Sequence, residues 1–247
     1  MKAAPADQLR LLDVQGLDST IDRLAHRRAT LAELEQIEAL DGRLAAIDDD
    51  IVRAETEDSD LGREQARVDT DVEQVRNRMA RDQSRLDAGQ VGSPRELETL
   101  QHEIETLRRR QAELEDVELE VMEQREEIER RLKALRAEQE QTVTGRDEAQ
   151  ERLDAAHVEI DAEIARSGAA RKELVATLPE DLVDLYEKLR SSSGGVGAAA
   201  LHRGRCEGCH LQLNTTDLNH LRDAPEDDVV RCEECRRILV RTPESGL

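Results

Sequence analysis

Leu44, Ile47, Ile51, Ala54, Leu61, Val68, Val72, Val75, Met79 and Leu86 fall on one 3-4 alternating series, the spacing that keeps an apolar stripe of a helix facing a partner helix. Asp58, Gln65 and Asp82 interrupt the stripe. Upstream, Leu17, Ile21, Leu24 and Leu31 keep their own 4-3 series, and the spacing contracts to threes through Leu34, Ile37 and Leu40, which predicts local overwinding or a bend. A second alternating series runs through Leu97, Leu100, Ile104, Leu107, Leu114, Val121, Ile128, Leu132, Leu135, Leu153, Ala156 and Ile160. Its register also passes through Gln111, Glu118, Arg125, Gln139 and Arg146. Polar groups at seam positions must be hydrated or paired, so the middle of the rod is expected to be only moderately stable, and replacing Gln111 and Arg125 with Leu to strengthen it.

Between the two series stands "LDAGQVGSPRELETLQHEI". Gly89 and Gly92 relax the backbone, Ser93 can cap a new helix, Pro94 suits its first turn, and Glu96 stands where a capping box needs it. Two seams of similar length around one tight turn predict an antiparallel hairpin rather than a splayed dimer, with helices of roughly 80 residues and about 120 Å. Pro179 disfavours helical geometry at Leu178 and ends the long helix. A short amphipathic helix over 179–190 follows, and "SSSGGVG", 191–197, reads as a linker. It lacks the G-x-x-x-x-G-K-[ST] pattern of a phosphate loop.

Composition narrows this picture. The 247 residues include no Trp, no Phe and a single Tyr, Tyr186, while 38% are charged, so a large globular core is excluded and the heptads argue for coiled coil over disorder. A net charge of -21 repels nucleic-acid phosphates over most of the surface and restricts any such contact to local basic patches. The first residues carry no signal-peptide apolar stretch, and no run approaches the span of a bilayer. The expectation is a cytoplasmic protein without membrane contact, in a compartment where thiols stay reduced.

All four cysteines lie near the C-terminus as two C-x-x-C pairs, Cys206/Cys209 and Cys232/Cys235, with 22 residues between the pairs. Each pair can turn both sulfurs toward one ion, and four thiolates match tetrahedral zinc while leaving no open catalytic position. Redox chemistry would need a thioredoxin-like context that is absent. "VVRCEECRRILV" reads as strand, knuckle, strand. Leu201, Leu211, Leu213, Val229, Val230, Ile238 and Leu239 are the candidate core of this module. So small a set predicts that one structural Zn2+ per chain replaces a core. The fold class is therefore mainly α: a long antiparallel coiled-coil hairpin over 1–190, turning near 89–93, a linker over 191–197, and a small β zinc ribbon over 198–247. The linker implies a ribbon separable from an autonomous rod.

The tip "GSPRELETLQHEIE", the Leu-Pro break before "LYEKLR", and "CEGC" followed by "CEECRRILV" resemble the bacterial family of coiled-coil proteins with a C-terminal C4-type zinc ribbon, over nearly the whole chain. The resemblance implies a non-enzymatic protein contacting other macromolecules, with regulatory and secretion-associated partners and proposed nucleic-acid binding among members, and with Cys206, Cys209, Cys232 and Cys235 as the zinc ligands. The family carries Gly after the last cysteine, where this chain has Arg236, so a positive φ is expected there at some cost.

Two partner classes follow. A protein scaffold or adaptor is favoured, with no small-molecule substrate and no oligomer. Nucleic acid is the alternative, weak and local: residues 201–247 hold seven arginines against nine acids, but Arg203, Arg205, Arg236 and Arg237 flank the knuckles. At the hairpin tip, Arg76, Arg78, Arg81, Arg85 and Arg95 face only Asp82 and Asp87 within 76–95, with pairing across the hairpin to Glu98 and Glu103 as the structural alternative. Arg85 and Arg95 complete the candidate contact residues. Without aromatic side chains, base stacking has little to draw on. Small-angle scattering should return a one-chain mass and a rod of about 120 Å or more; a compact particle would refute the hairpin.

Overall fold

The computed structural model describes residues 1–247. Five helices, α1 (Pro5–Ala29), α2 (Ala32–Asp87), α3 (Pro94–Val175), α4 (Glu180–Ser192) and α5 (Thr215–Asp223), and three strands, β1 (Ala198–His202), β2 (Arg205–Cys206) and β3 (Ile238–Arg241), form two compact units. One comprises residues 35–149, the other 1–34 with 150–247.

The first unit is an antiparallel coiled-coil hairpin. Ile47, Ala54, Val68 and Val72 of α2 are buried, as are Leu100, Ile104, Leu114, Val121 and Leu132 of α3, all on the two expected seams. Flanking ion pairs give the strand sense: as the α2 partner moves along Arg43, Glu57, Arg76 and Arg85, the α3 partner falls through Glu138, Arg131, Glu115 and Glu96. At the tip, Gly89 takes a φ of 65°, and Gln90 N–H and Gly89 N–H donate to Arg85 and Leu86 carbonyls at 3.1 Å each, a glycine-dependent helix stop. Glu96 N–H then donates to Ser93 Oγ at 3.3 Å, while the Glu96 carboxylate accepts from Gly92 N–H at 2.9 Å. This capping box reaches back one residue further than the usual form, because Gly92 leaves its N–H open.

Several polar seam positions are paired across the hairpin, whereas Asp82 Oδ2 is buried without a hydrogen-bond partner. Arg125 donates to Asp58 at 3.2 Å and to Gln65 at 2.9 Å, three seam interruptions closing on one another. Gln139 reaches Asp48 at 2.6 Å and Arg146 reaches Asp41 at 3.3 Å. The expectation for Arg125 therefore changes: its guanidinium is the partner of two other seam groups, not a lone vacancy in the stripe.

In the second unit α1 ends where the heptad spacing contracts. Thr30 leaves helical geometry at φ −124° and ψ 29°, and α2 resumes at Ala32. The expected bend is thus an interruption of the helix. α3 stops at Val175, and Pro179 caps α4 in extended geometry. The sheet order is β2-β1-β3, with β1 antiparallel to β2 and parallel to β3. Only the second strand expected around the latter knuckle forms; on its other side a single bridge, Arg231 to Ile238, remains.

The ribbon buries more than its own side chains. Strand alternation sends Ala198, Ile238 and Val240 to one face, where they share a core with Ala3, Leu11 and Val14 at the α1 end and Leu178, Leu182, Tyr186 and Leu189 around α4. Ala199, Leu201 and Leu239 turn to the other face with Leu213, Leu221, Cys206 and Cys232. Leu211, an expected core residue, is 50% exposed. The picture of a ribbon without a core, separable from its stalk, is corrected accordingly: one face of its sheet shares a core with the helices, and the other builds a core of its own. Residues 191–197 are not a free tether either, since Ser191 and Ser192 finish α4 and Gly197 is buried against Tyr186.

Arg125→Leu alone should lower Tm, because Asp58 and Gln65 lose their donor. With Arg125 and Asp58 about a third exposed, 32% and 30%, the loss is discounted to about 1 kcal/mol, or roughly 2–4 °C for a chain of this size. Leu at all three positions should instead raise Tm, since an apolar layer replaces a polar one without stranding a group. Calorimetry of the single and triple variants separates these outcomes; a stabilised Arg125→Leu would mean the layer is not paired.

Candidate metal centre

The two C-x-x-C pairs build the same turn twice. His210 N–H donates to the Cys206 carbonyl and Arg236 N–H to the Cys232 carbonyl, both at 2.8 Å, and these closing residues take φ of 60° and 64°. The positive φ expected at Arg236 is present, and it recurs at His210. Each turn aims backbone N–H groups at its first sulfur, from Gly208 and Cys209 onto Cys206 and from Glu234 and Cys235 onto Cys232. Gly208 has no side-chain alternative: a Cβ there would lie 2.9 Å from Ala199 Cβ and from Arg237 Cδ.

These turns bring four sulfurs together from opposite ends of the module. Cys206 and Cys235 sulfurs are 3.9 Å apart, Cys209 and Cys232 likewise, and all four lie within 4.8 Å of one another. A disulfide requires about 2.05 Å. Four thiolates at about 2.3 Å from one tetrahedral zinc would be separated by about 3.8 Å, so the arrangement fits a closed C4 site for one structural zinc. Burial, aided by the neighbouring thiols, pushes the Cys206 thiol up to about 12 and raises Cys232 as well. Cys235 is lowered: burial is the largest single influence and opposes its ionisation, but the Arg237 N–H together with the hydrogen bonds of Cys232, the Arg237 side chain and Cys209 outweighs that cost. Thiols that hold their protons when alone ionise on binding a cation, which makes occupancy proton-linked and ties the metal to the fold.

The arginines around the centre divide by what they touch. Arg237 donates from its guanidinium to the carbonyls of Val196, Gly208 and Ser193 at 2.9, 3.0 and 2.8 Å, so it leaves the expected basic face and becomes part of the frame. Arg236 pairs with Glu233 at 3.2 Å. Arg203, at φ 49°, and Arg205 are exposed. At the hairpin tip, in the other unit, Arg85 pairs with Glu96 at 3.5 Å and Arg78 with Glu103, while Arg95 is exposed. Arg241 was counted only as charge, yet it donates to five backbone carbonyls, Leu221, Ala224, Pro225, Glu226 and Asp228, closing the C-terminus of α5. No residue spacing announces such contacts.

A second set of residues, absent from the sequence reading, joins the ribbon to the helices. Tyr186 Oη donates its single proton chiefly to Asp18 Oδ2 at 2.7 Å, with Gln15 Oε1 sharing it at 3.1 Å. Gln15 also accepts from Gly197 N–H at 2.7 Å and donates to Gly195 O at 3.0 Å. Arg171 donates to Asp18 at 2.6 Å and also meets Glu187. Burial, and then the bond to Asp18, raise the Tyr186 hydroxyl well above its ordinary value, and the bond to Asp18 raises Arg171. The N-terminal residues add to the ribbon, with Ala3 N–H on Asp227 O at 2.8 Å and Val229 N–H on Met1 O at 3.0 Å.

The family described as a CT398-like coiled coil hairpin domain matches residues 14–194, and a C4-type zinc ribbon domain matches residues 205–239. An uncharacterized protein of Mycobacterium tuberculosis is 37% identical over 98% of each chain. A solved structure from Mycobacterium smegmatis superposes with a TM-score of 0.86 at 35% identity, covering 98% of this chain and 100% of that one. The structure of CT398 from Chlamydia trachomatis shares the fold, with a TM-score of 0.71 at 20% identity over 96% of this chain and 98% of its own.

Purified protein should carry one zinc per chain, and Cys206→Ser or Cys232→Ser should each abolish stoichiometric metal and expose 207–237 to protease, because the shared ion is the only link that holds all four sulfurs of the two turns together. The core that β1 and β3 share with α1 and α4 should keep far-UV helicity close to the parent value. Full metal content in either variant would refute the C4 site.

Proposed function

The chain belongs to the CT398-like coiled coil hairpin family, closed by a C4-type zinc ribbon, and from that premise we propose that it is a non-enzymatic scaffold or adaptor, regulatory in role, that presents a hairpin and a zinc-held ribbon to a protein partner. The observation that carries this reading is the closure of the metal centre: four sulfurs mutually within 4.8 Å saturate a tetrahedral ion and hold no position for substrate. The strongly shifted groups outside it, Tyr186 and Arg171, are tied to Asp18 and serve packing rather than acid-base chemistry. No helix is long and apolar enough to cross a membrane, so the reading requires no bilayer.

Nucleic-acid binding is the second reading, supported by Arg203, Arg205 and Arg95, which are exposed. The net charge of -21 weighs against it, since each phosphate contact must overcome a repulsive surround. The two are separated by capture from a bacterial lysate on full-length, zinc-loaded protein, with and without nuclease, alongside titration of short duplexes over a salt series. Protein capture that survives nuclease is the expected result. Capture lost to nuclease, with steeply salt-dependent duplex binding that falls in Arg203→Ala/Arg205→Ala, would overturn the scaffold reading.

A further inference from the structure

Arg237 occupies an unusual crossing point. Its backbone belongs to the second cysteine turn: its N–H is directed at the Cys235 sulfur, and its carbonyl accepts from Cys232 N–H at 3.0 Å. Its side chain leaves that turn and reaches the first, where Nη1 donates to Gly208 O at 3.0 Å, between Cys206 and Cys209. The other two nitrogens hold the segment that leads out of α4, Nε on Val196 O at 2.9 Å and Nη2 on Ser193 O at 2.8 Å. One guanidinium thus bonds the frame of the metal centre and the 193–197 segment at once, and its rigid fork makes the three bonds interdependent.

The same segment is held from its far side. Gln15 donates to Gly195 O and accepts from Gly197 N–H, and its Oε1 also takes the Tyr186 hydroxyl, which is bonded to Asp18 in turn. There is little slack: a Cβ at Gly197 would lie 2.7 Å from Tyr186 O, and one at Gly208 would lie 2.9 Å from Arg237 Cδ. From either cysteine turn to Tyr186 there runs an unbroken series of hydrogen bonds and van der Waals contacts.

The backbone of 193–197 includes two glycines at positive φ, Gly194 and Gly195, and is an unfavourable segment to order, because glycine loses the most conformational freedom on being fixed. Backbone bonds tie its ends, Gly195 N–H to Arg190 O at 3.1 Å and Ile238 N–H to Gly197 O at 2.9 Å, and the side-chain bonds of Arg237 and Gln15 hold the stretch between them. The Arg237 bonds hold only while both cysteine turns keep their positions, and a shared ion is what fixes the two turns relative to each other.

We infer that Arg237 is a metal-dependent latch: with zinc in the C4 site it clamps 193–197 against α1 and α4, and loss of the metal releases that segment and loosens the Tyr186 site. The two-state element is the order of 193–197, which both the metal centre and Gln15 bias. Arg237 acts on it as a positioning residue, without touching the ion. The latch goes beyond the scaffold reading and does not depend on the identity of any partner.

Tyr186 is the chain's only Tyr, with no Trp or Phe beside it, so its emission reports this site without labelling and responds to the hydrogen bond it makes to Asp18. Full-length zinc-loaded protein is stripped with a chelator and reloaded with zinc while Tyr186 emission, metal content and protease cleavage within 191–197 are followed. In the parent, metal removal should change the emission and speed cleavage on the order of tenfold, and zinc should reverse both. Arg237→Gln, which keeps all four cysteines, should still take up one zinc but show fast cleavage and a loosened Tyr186 signal with or without it. If the ribbon simply melted on metal loss, Arg237→Gln would instead retain the full zinc-dependent change, and the latch would be refuted. Should Arg237→Gln fail to hold zinc, Gln15→Ala decides the matter: zinc-dependent cleavage should persist while Tyr186 emission no longer follows the metal, and an emission change of parental size would refute the relay. Parent emission and cleavage that ignore zinc would also overturn the inference.

Discussion

The Asp18 carboxylate, 2% exposed, is the interaction on which the 1–34 and 150–247 unit turns. It accepts from Tyr186 of α4 and from Arg171 of α3, with Arg190 of α4 at 3.5 Å, while its own backbone lies in α1. A buried carboxylate is costly unless its oxygens are fully engaged. Once engaged, it fixes which helix ends meet and in what rotation, because only one arrangement brings a hydroxyl and two guanidinium groups to it together. The apolar residues around it, Leu11, Val14, Leu182 and Leu189, supply burial but tolerate sliding. The polar group supplies the register. The ribbon inherits it, since β1 begins one residue after Gly197, whose N–H is held by Gln15, one turn before Asp18.

In residues 35–149 the corresponding task falls to the layer of Asp58, Gln65 and Arg125. A seam of Val, Leu, Ile and Ala would pack almost as well one heptad out of place, whereas this triad closes only in one register. Both units thus divide the work alike: aliphatic side chains provide non-directional burial, and one polar cluster selects among near-equivalent packings. For a chain with no Trp or Phe the division is forced. Large aromatic shapes, which specify packing by fit, are missing, and hydrogen-bonding geometry takes their place.

The legibility of the structure in the sequence follows from this. Heptad positions, the Gly89 turn, the Ser93 cap and the two cysteine pairs were readable because each is a local pattern: periodicity, φ preference or ligand spacing. The polar seam entries were located correctly but not paired, since Asp58 and Arg125 meet only across the hairpin and the antiparallel offset must be known first. The parallel pairing of β1 with β3, joined through Ala198 to Leu201 and Ile238 to Arg241, and the docking of Met1 and Ala3 on Asp227 and Val229 have no local signal at all. Nor do the carbonyl-binding arginines. A side chain that seeks carboxylates can be guessed from complementary charges, but one that seeks backbone oxygens has partners everywhere in the sequence and nowhere in particular.

That last point bears on how charge should be read in so acidic a protein. Arg236 and Arg237 are adjacent, identical in type, and follow the same cysteine, yet one lies on the surface beside Glu233 while the other is spent on three carbonyls. The backbone decides between them. Arg236 takes the positive φ that closes the turn, which throws its side chain outward, and the next residue enters the approach to β3 with its side chain directed between the turn and α4. A count of arginines near the zinc centre therefore overstates the cationic surface, because the geometry that wraps cysteines around an ion also turns neighbouring side chains inward to satisfy the carbonyls of that tight wrap. What remains available to a partner is the residue set left outside both the turns and the helix junction.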